Sequence, residues 1–151
     1  MKNIFININA ILESAHNENF DAFSFEKHVI SNLYNISKFG YNISLIIHDE
    51  ILNHAVTQKA IDILNGEFSF TIVNHDKDID LTQDLLIEKI NEQLLVKSGS
   101  EIKSFIDWNS IFNFIKSVSR KINHTRNTNE TKIEIDLNID GNGIYNISTG
   151  L

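Results

Sequence analysis

An α/β fold around a mainly parallel, Rossmann-like sheet is predicted by two observations. Apolar runs of strand length alternate with amphipathic runs of helix length up to about residue 120, and past residue 130 the hydrophobic period changes to two. In order, Ile4, Ile6 and Ile8 alternate with Phe5, Asn7 and Asn9, which predicts a strand over 3–9. In "SFEKHVISNLYNISKFG", Val29, Leu33 and Ile36 stand at i, i+4 and i+7, with Ser24 as the expected cap and Gly40 as the stop. "NISLIIH" (42–48) is an apolar run suited to a buried parallel strand. "AVTQKAIDILNG" carries Val56, Ala60 and Leu64 on one helical face, and "EFSFTIV" (67–73) follows as a third strand.

"DLTQDLLIEKINEQLL" (80–95) is read as a helix capped by Thr82, and "KSFI" (103–106) as a short strand. "DWNSIFNFIKSVSRKI" repeats Trp108, Phe112, Ile115 and Ile122 at helical spacing, with Asp107 in the capping position. This stripe is expected to be core packing rather than a cofactor box. The α/β domain is expected to span 1–120. "SRKINHTRNTNE" (119–130) reads as a polar loop, after which Ile133, Ile135, Leu137 and Ile139 alternate. Asp140-Gly141-Asn142-Gly143 supplies a turn, and "IYNIS" returns as the second strand of a C-terminal hairpin within 121–151.

The bulk numbers narrow the function classes. A net charge of −7, with no local basic patch, argues against nucleic-acid and anionic-membrane partners. The absence of cysteine excludes disulfides, thiol catalysis and thiolate metal sites. No apolar run approaches membrane-spanning length and the N-terminus lacks a signal cleavage pattern, so a cytoplasmic protein is expected.

The last segment resembles the opening of imidazoleglycerol-phosphate dehydratase. The matching residues are Arg126, Thr128, Glu130 and Thr131, then Asp140, Gly141 and Gly143 at the turn, then Thr149 and Gly150. The preceding part resembles the histidinol-phosphate phosphatase, of the haloacid-dehalogenase type, that is fused ahead of that dehydratase in some bacteria. "IFININAIL" stands in the register of that family's Asp-x-Asp-Gly-Thr-Leu motif, so Asn7 and Asn9 occupy the positions of the nucleophilic and general-acid aspartates. His48 falls where the second motif places its threonine. The stretch 74–100 departs from the family pattern.

The resemblance implies a haloacid-dehalogenase-type domain over 1–120 and the truncated start of a dehydratase domain over 121–151. It implies Mg²⁺ for the phosphatase and a dinuclear manganese site for the dehydratase. An asparagine amide neither forms an acyl phosphate nor exchanges a proton as an acid, so this chain is expected to be catalytically incomplete and to hold neither metal. Arg126 and Glu130 remain as candidate substrate contacts, with exposed positions leading into a strand as the simpler reading. His48-Asp49-Glu50 could form a metal site or an acid–base pair, but adjacent residues of an extended chain do not converge, and a solvated loop is the simpler reading. "HDKDID" (75–80) is expected to be a solvated acidic turn. The expected partner is a separate dehydratase chain, or a second copy, engaged through the terminal hairpin.

Overall fold

The computed structural model describes residues 3–13, 23–74, 79–119, 121–128 and 130–138. Strand β1 (Asn3–Asn7) ends two residues earlier than its alternation suggests, because a 3-10 turn over Ile8–Ala10 begins there. Helix α1 (Val29–Lys38) leads to β2 (Asn42–Ile46), the short α2 (Asp49–Leu52) and α3 (Ala55–Asn65), and β3 (Thr71–Val73) follows. Next come β4 (Leu85–Ile90), β5 (Gln93–Ser98), β6 (Glu101–Phe105) and α4 (Trp108–Ser119), and then β7 (Lys121–Asn127) and β8 (Lys132–Asn138).

Six strands form one sheet in the order β3-β2-β1-β4-β5-β6. The β3-β2-β1-β4 part is parallel, whereas β4-β5 and β5-β6 are antiparallel. The expected α/β class with a mainly parallel sheet is therefore observed. The sheet's core face carries Ile4, Ile6, Ile43, Leu45, Leu85, Ile87, Leu94 and Val96, none more than 4% exposed. Burying aliphatic side chains of this size stabilises by roughly 1.5–3 kcal/mol each. The opposite face is mixed. It carries Phe5 and Leu86, a Ser44–Thr71 hydroxyl pair at 2.8 Å, and a Glu88–Lys97 ion pair.

The segment read as a helix over 80–95 is instead the β4–β5 hairpin. Asn91 and Glu92 both take positive φ (50° and 61°), the two-residue turn whose twist suits antiparallel strands. Leu85, Ile87, Leu94 and Val96 then share the buried face at period two. Thr82 caps no helix; its hydroxyl donates to Asp80 at 2.6 Å, and its N–H donates to the same oxygen. A second tight turn follows at Gly99, with φ +59°.

Helix α1 begins at Val29, not near Ser24. Ser24 instead joins Glu13, donating its hydroxyl to that carboxylate and accepting the Glu13 N–H on its carbonyl. His28 precedes the helix in the left-handed region (φ 64°), which is strained for a residue with a Cβ. Its carbonyl compensates by accepting from the Asn32 N–H, the Asn32 amide and the Ser31 hydroxyl. Gly40 ends the helix with φ +82°, as expected. Asp107 caps α4, accepting the Ser110 N–H at 2.7 Å. Trp108 is fully buried, and its indole N–H donates to the Ala10 carbonyl at 2.8 Å. The buried stripe of α4 runs through Trp108, Ile111 and Ile115, while Phe112 is half-buried and meets Phe39 edge-on. Ile122 lies beyond α4, on β7.

The chain divides into two compact units, Met1–Phe112 and Asn113–Leu151. In the second, the stretch read as a polar loop is strand β7, and it pairs antiparallel with β8 from Lys121↔Asn138 to Asn127↔Lys132. The turn closes through Thr128, whose N–H donates to the Thr131 carbonyl at 2.8 Å. β8 thus takes its partner from the chain before it. The expected turn at 140–143 and return strand at 144–148 lie outside the described residues, as do His75 to Asp78 of the acidic stretch.

Candidate functional site

In an open α/β sheet, ligands bind beyond the carboxyl ends of the strands, where the chain steps away from β1 in both directions. Here β2 and β4 flank β1, so that crevice lies where β1 and β4 end. Asn7 closes β1, and its side-chain oxygen accepts the Asn9 N–H at 3.2 Å, capping the 3-10 turn. Asn9 bridges the crevice. Its amide donates to the Lys89 carbonyl at 3.1 Å and accepts the Lys89 N–H at 3.2 Å. The main-chain register between β1 and β4 runs to Ile6↔Ile87, and the Asn9 side chain continues it as a peptide group would. Only a group with both a donor and an acceptor does this; a carboxylate lacks the donor.

Lys89, which the helical reading of 80–95 conceals, lies at the same seam. It is 9% exposed, and its ammonium donates to the Glu26 carboxylate at 2.5 Å and to the Leu12 carbonyl at 3.3 Å, with Glu92 at 3.7 Å. No strong local signal marks it, because the Asn91-Glu92 turn takes positive φ at two residues without a glycine. The hollow at this end of the sheet is about 260 Å³ and is bounded by Glu13, Glu26, Lys89, Glu92, Leu94 and Ile106. Three carboxylates around one ammonium leave the rim net negative, which disfavours a phosphate ester. A larger hollow of about 710 Å³, bordered by Asn3, Asn42, Tyr34, Phe68 and Thr71, lies at the amino ends of the strands, away from the crevice.

His48 stands two residues past the end of β2, whose Ile46 is in register with Asn7. It is exposed and occupies the residue before α2, where its carbonyl accepts the Ile51 and Leu52 N–H groups. Asp49 turns to the end of β3 instead, pairing with the Asn74 amide and donating its own N–H to Asn74 Oδ1 at 3.1 Å. Asp80 is held below the usual carboxylate range, first by the Thr82 hydroxyl and then by the Thr82 N–H. Arg126 and Glu130 both belong to the second unit. Arg126 lies opposite Ile133 on the hairpin, Glu130 is in its turn, and both are exposed.

Mg²⁺ binds through carboxylate oxygens; Asn7 and Asn9 present amides, and the nearby Glu26 carboxylate is already paired with the Lys89 ammonium. Among the described residues, no three His, Asp or Glu side chains cluster closely enough to hold a metal, and no helix is long and apolar enough to cross a membrane.

These features define an open α/β sheet whose switch-point crevice is bridged by its own side chains. The chain is similar to the histidine biosynthesis bifunctional protein HisB. The match to the protein of Spirosoma linguale is 33% identical over 66 residues, 44% of this chain and 15% of that protein. The match to the Bacteroides fragilis protein is 34% identical over 92 residues, 56% of this chain and 25% of that protein. The chain thus spans a quarter or less of the length of these curated relatives. No protein-family model matches it, and no solved structure does.

Proposed function

We propose that this chain is a cytoplasmic, catalytically incomplete relative of the bifunctional histidine-biosynthesis proteins. In this reading 1–120 is a degenerate phosphatase-like domain of the haloacid-dehalogenase type, and 121–151 is the start of a dehydratase domain. The observation that carries the reading is Asn9, whose amide is doubly engaged with the Lys89 backbone where a reacting acid would otherwise stand. An acid at that position would leave the Lys89 carbonyl without its donor, so the amide is built into the fold.

The test is an assay of the purified full chain with histidinol phosphate and Mg²⁺, and with imidazoleglycerol phosphate and Mn²⁺. Release of phosphate and of product should stay at the buffer background. The Asn7→Asp/Asn9→Asp double variant should stay there too. Turnover by the unaltered chain would overturn the proposal.

A second reading is a non-catalytic assembly module that docks to a separate dehydratase chain through the hairpin. It is favoured by Ile133, Ile135 and Leu137, each about half exposed on one face of β8. Arg126, in register with Ile133, would then face the partner rather than a substrate. Mixing the chain with a purified dehydratase should shift its elution, and Ile135→Glu should abolish that shift; no shift with the unaltered chain removes this reading.

A further inference from the structure

The six-stranded sheet has two edges of different character. β3 is three residues long, whereas β6 has five residues with β5 on one side and, among the described residues, no strand on the other. Glu101, Ile102, Lys103 and Ser104 are all exposed, Ile102 to 63%. An edge of this kind offers main-chain donors and acceptors to another strand, and charged side chains ordinarily oppose such pairing.

The charges on β6 do not oppose one particular partner. Glu101 and Lys103 stand two residues apart and therefore on the same face, with opposite signs and Ile102 between them. In an antiparallel pair centred on Ile102, Glu101 of each copy faces Lys103 of the other, twice by symmetry, and the two Ile102 side chains meet. A register centred on Lys103 would oppose like charges. We infer that β6 is a self-complementary edge, and that a second copy of this chain adds to it across a two-fold axis at Ile102. The result is one continuous sheet across both copies. Within each copy Lys103 lies 3.4 Å from Glu101, a contact along the exposed strand, and pairing adds two across it. The inference is independent of the functional reading above. With so few residues on each side, the association is weak and transient.

Sedimentation velocity of the full chain from about 10 µM to ~1 mM tests it. A concentration-dependent dimer is expected. Lys103→Glu places Glu101 opposite Glu in this register and should weaken the dimer about tenfold, and Glu101→Lys/Lys103→Glu should restore it. The buried Trp108 verifies by its emission that each variant is folded. A chain monomeric at the highest concentration, a dimer indifferent to Lys103→Glu, or a double variant as weak as the single one would each overturn the assignment.

Discussion

Ile4 and Ile6 on β1 and Ile133 and Ile135 on β8 follow the same rule, isoleucine at every second position of a strand. The first pair is 0% exposed and the second is 47%. Alternation fixes which residues share a face, because successive side chains of a strand point to opposite sides. It does not say what covers that face. β1 gains cover because it lies between two other strands in the middle of a sheet whose apolar rows continue through β2, β4 and β5. Among the described residues β8 belongs to a sheet of two strands, which supplies no opposing layer. Identical residues therefore carry different energetic weight, and substitutions in the two regions should separate them.

The largest effect is expected at the centre of the first unit. Ile6→Ala removes a fully buried side chain and should lower stability by about 3 kcal/mol. Urea unfolding followed by Trp108 emission measures it, since Trp108 is the sole tryptophan and is buried in that unit. A loss under about 1 kcal/mol would mean that the β1 face is not the core.

The ion pairs give a second contrast. Lys89–Glu26 has side-chain exposures of 7% and 22%, whereas Lys132–Glu134 has 64% and 63%. Lys89→Ala leaves a mostly buried carboxylate without its cation and should cost about 2 kcal/mol, below the range for fully buried pairs because Glu26 retains some water. Lys89→Met, which keeps the packing, should fall between the alanine variant and the unaltered chain. Lys132→Ala should move the same transition by less than about 0.5 kcal/mol. Equal effects at Lys89 and Lys132 would erase the distinction between the two units.

Much of the first unit is legible in the sequence because its signals are local. The alternation of β1, the apolar run of β2, the stop at Gly40 and the Asp107 cap each sit within a few residues. The β4–β5 hairpin is not legible in that way. Leu85, Leu86, Ile90, Leu94 and Leu95 satisfy a helical spacing nearly as well as a strand pattern, and the deciding feature is positive φ at two residues with no glycine between them. β7 was obscured because His124, Thr125, Arg126 and Asn127 are polar, and a strand exposed in a two-stranded sheet needs no apolar pattern. At the crevice, the sequence indicates Asn7 and Asn9 as the positions to watch. That Asn9 engages Lys89 depends on a contact 80 residues away, which no local signal carries.

A smaller effect is expected from acid. Asp107 is held below the usual carboxylate range, chiefly by the Ser110 hydroxyl and then by the Ser110 N–H, with the charges of His28 and Lys27 adding less. A depressed carboxylate contributes stability that is complete above its unfolded-state value and is lost as pH falls through its folded-state value. Loosening of α4, followed by Trp108 emission, should therefore begin below about pH 4. Asp107→Asn keeps a good capping residue and removes the titration, so its profile should be flatter there. Identical acid profiles would remove Asp107 from the account.

The smallest effect is expected on β8. Ile135→Ala removes a side chain that already meets solvent over 47% of its surface, so the area returned to water is small. Unit 1 unfolding should shift by less than about 0.5 kcal/mol, while hydrogen exchange of the β7–β8 amides quickens modestly. Such a result means that the β8 face meets solvent in the lone chain. A loss comparable with that of Ile6→Ala would instead mean that the β8 face is covered in solution, and the two alternating strands would then share one role. Repeating the measurement at dilute and concentrated protein distinguishes the source of that cover, because cover from another chain weakens on dilution and cover from this chain does not.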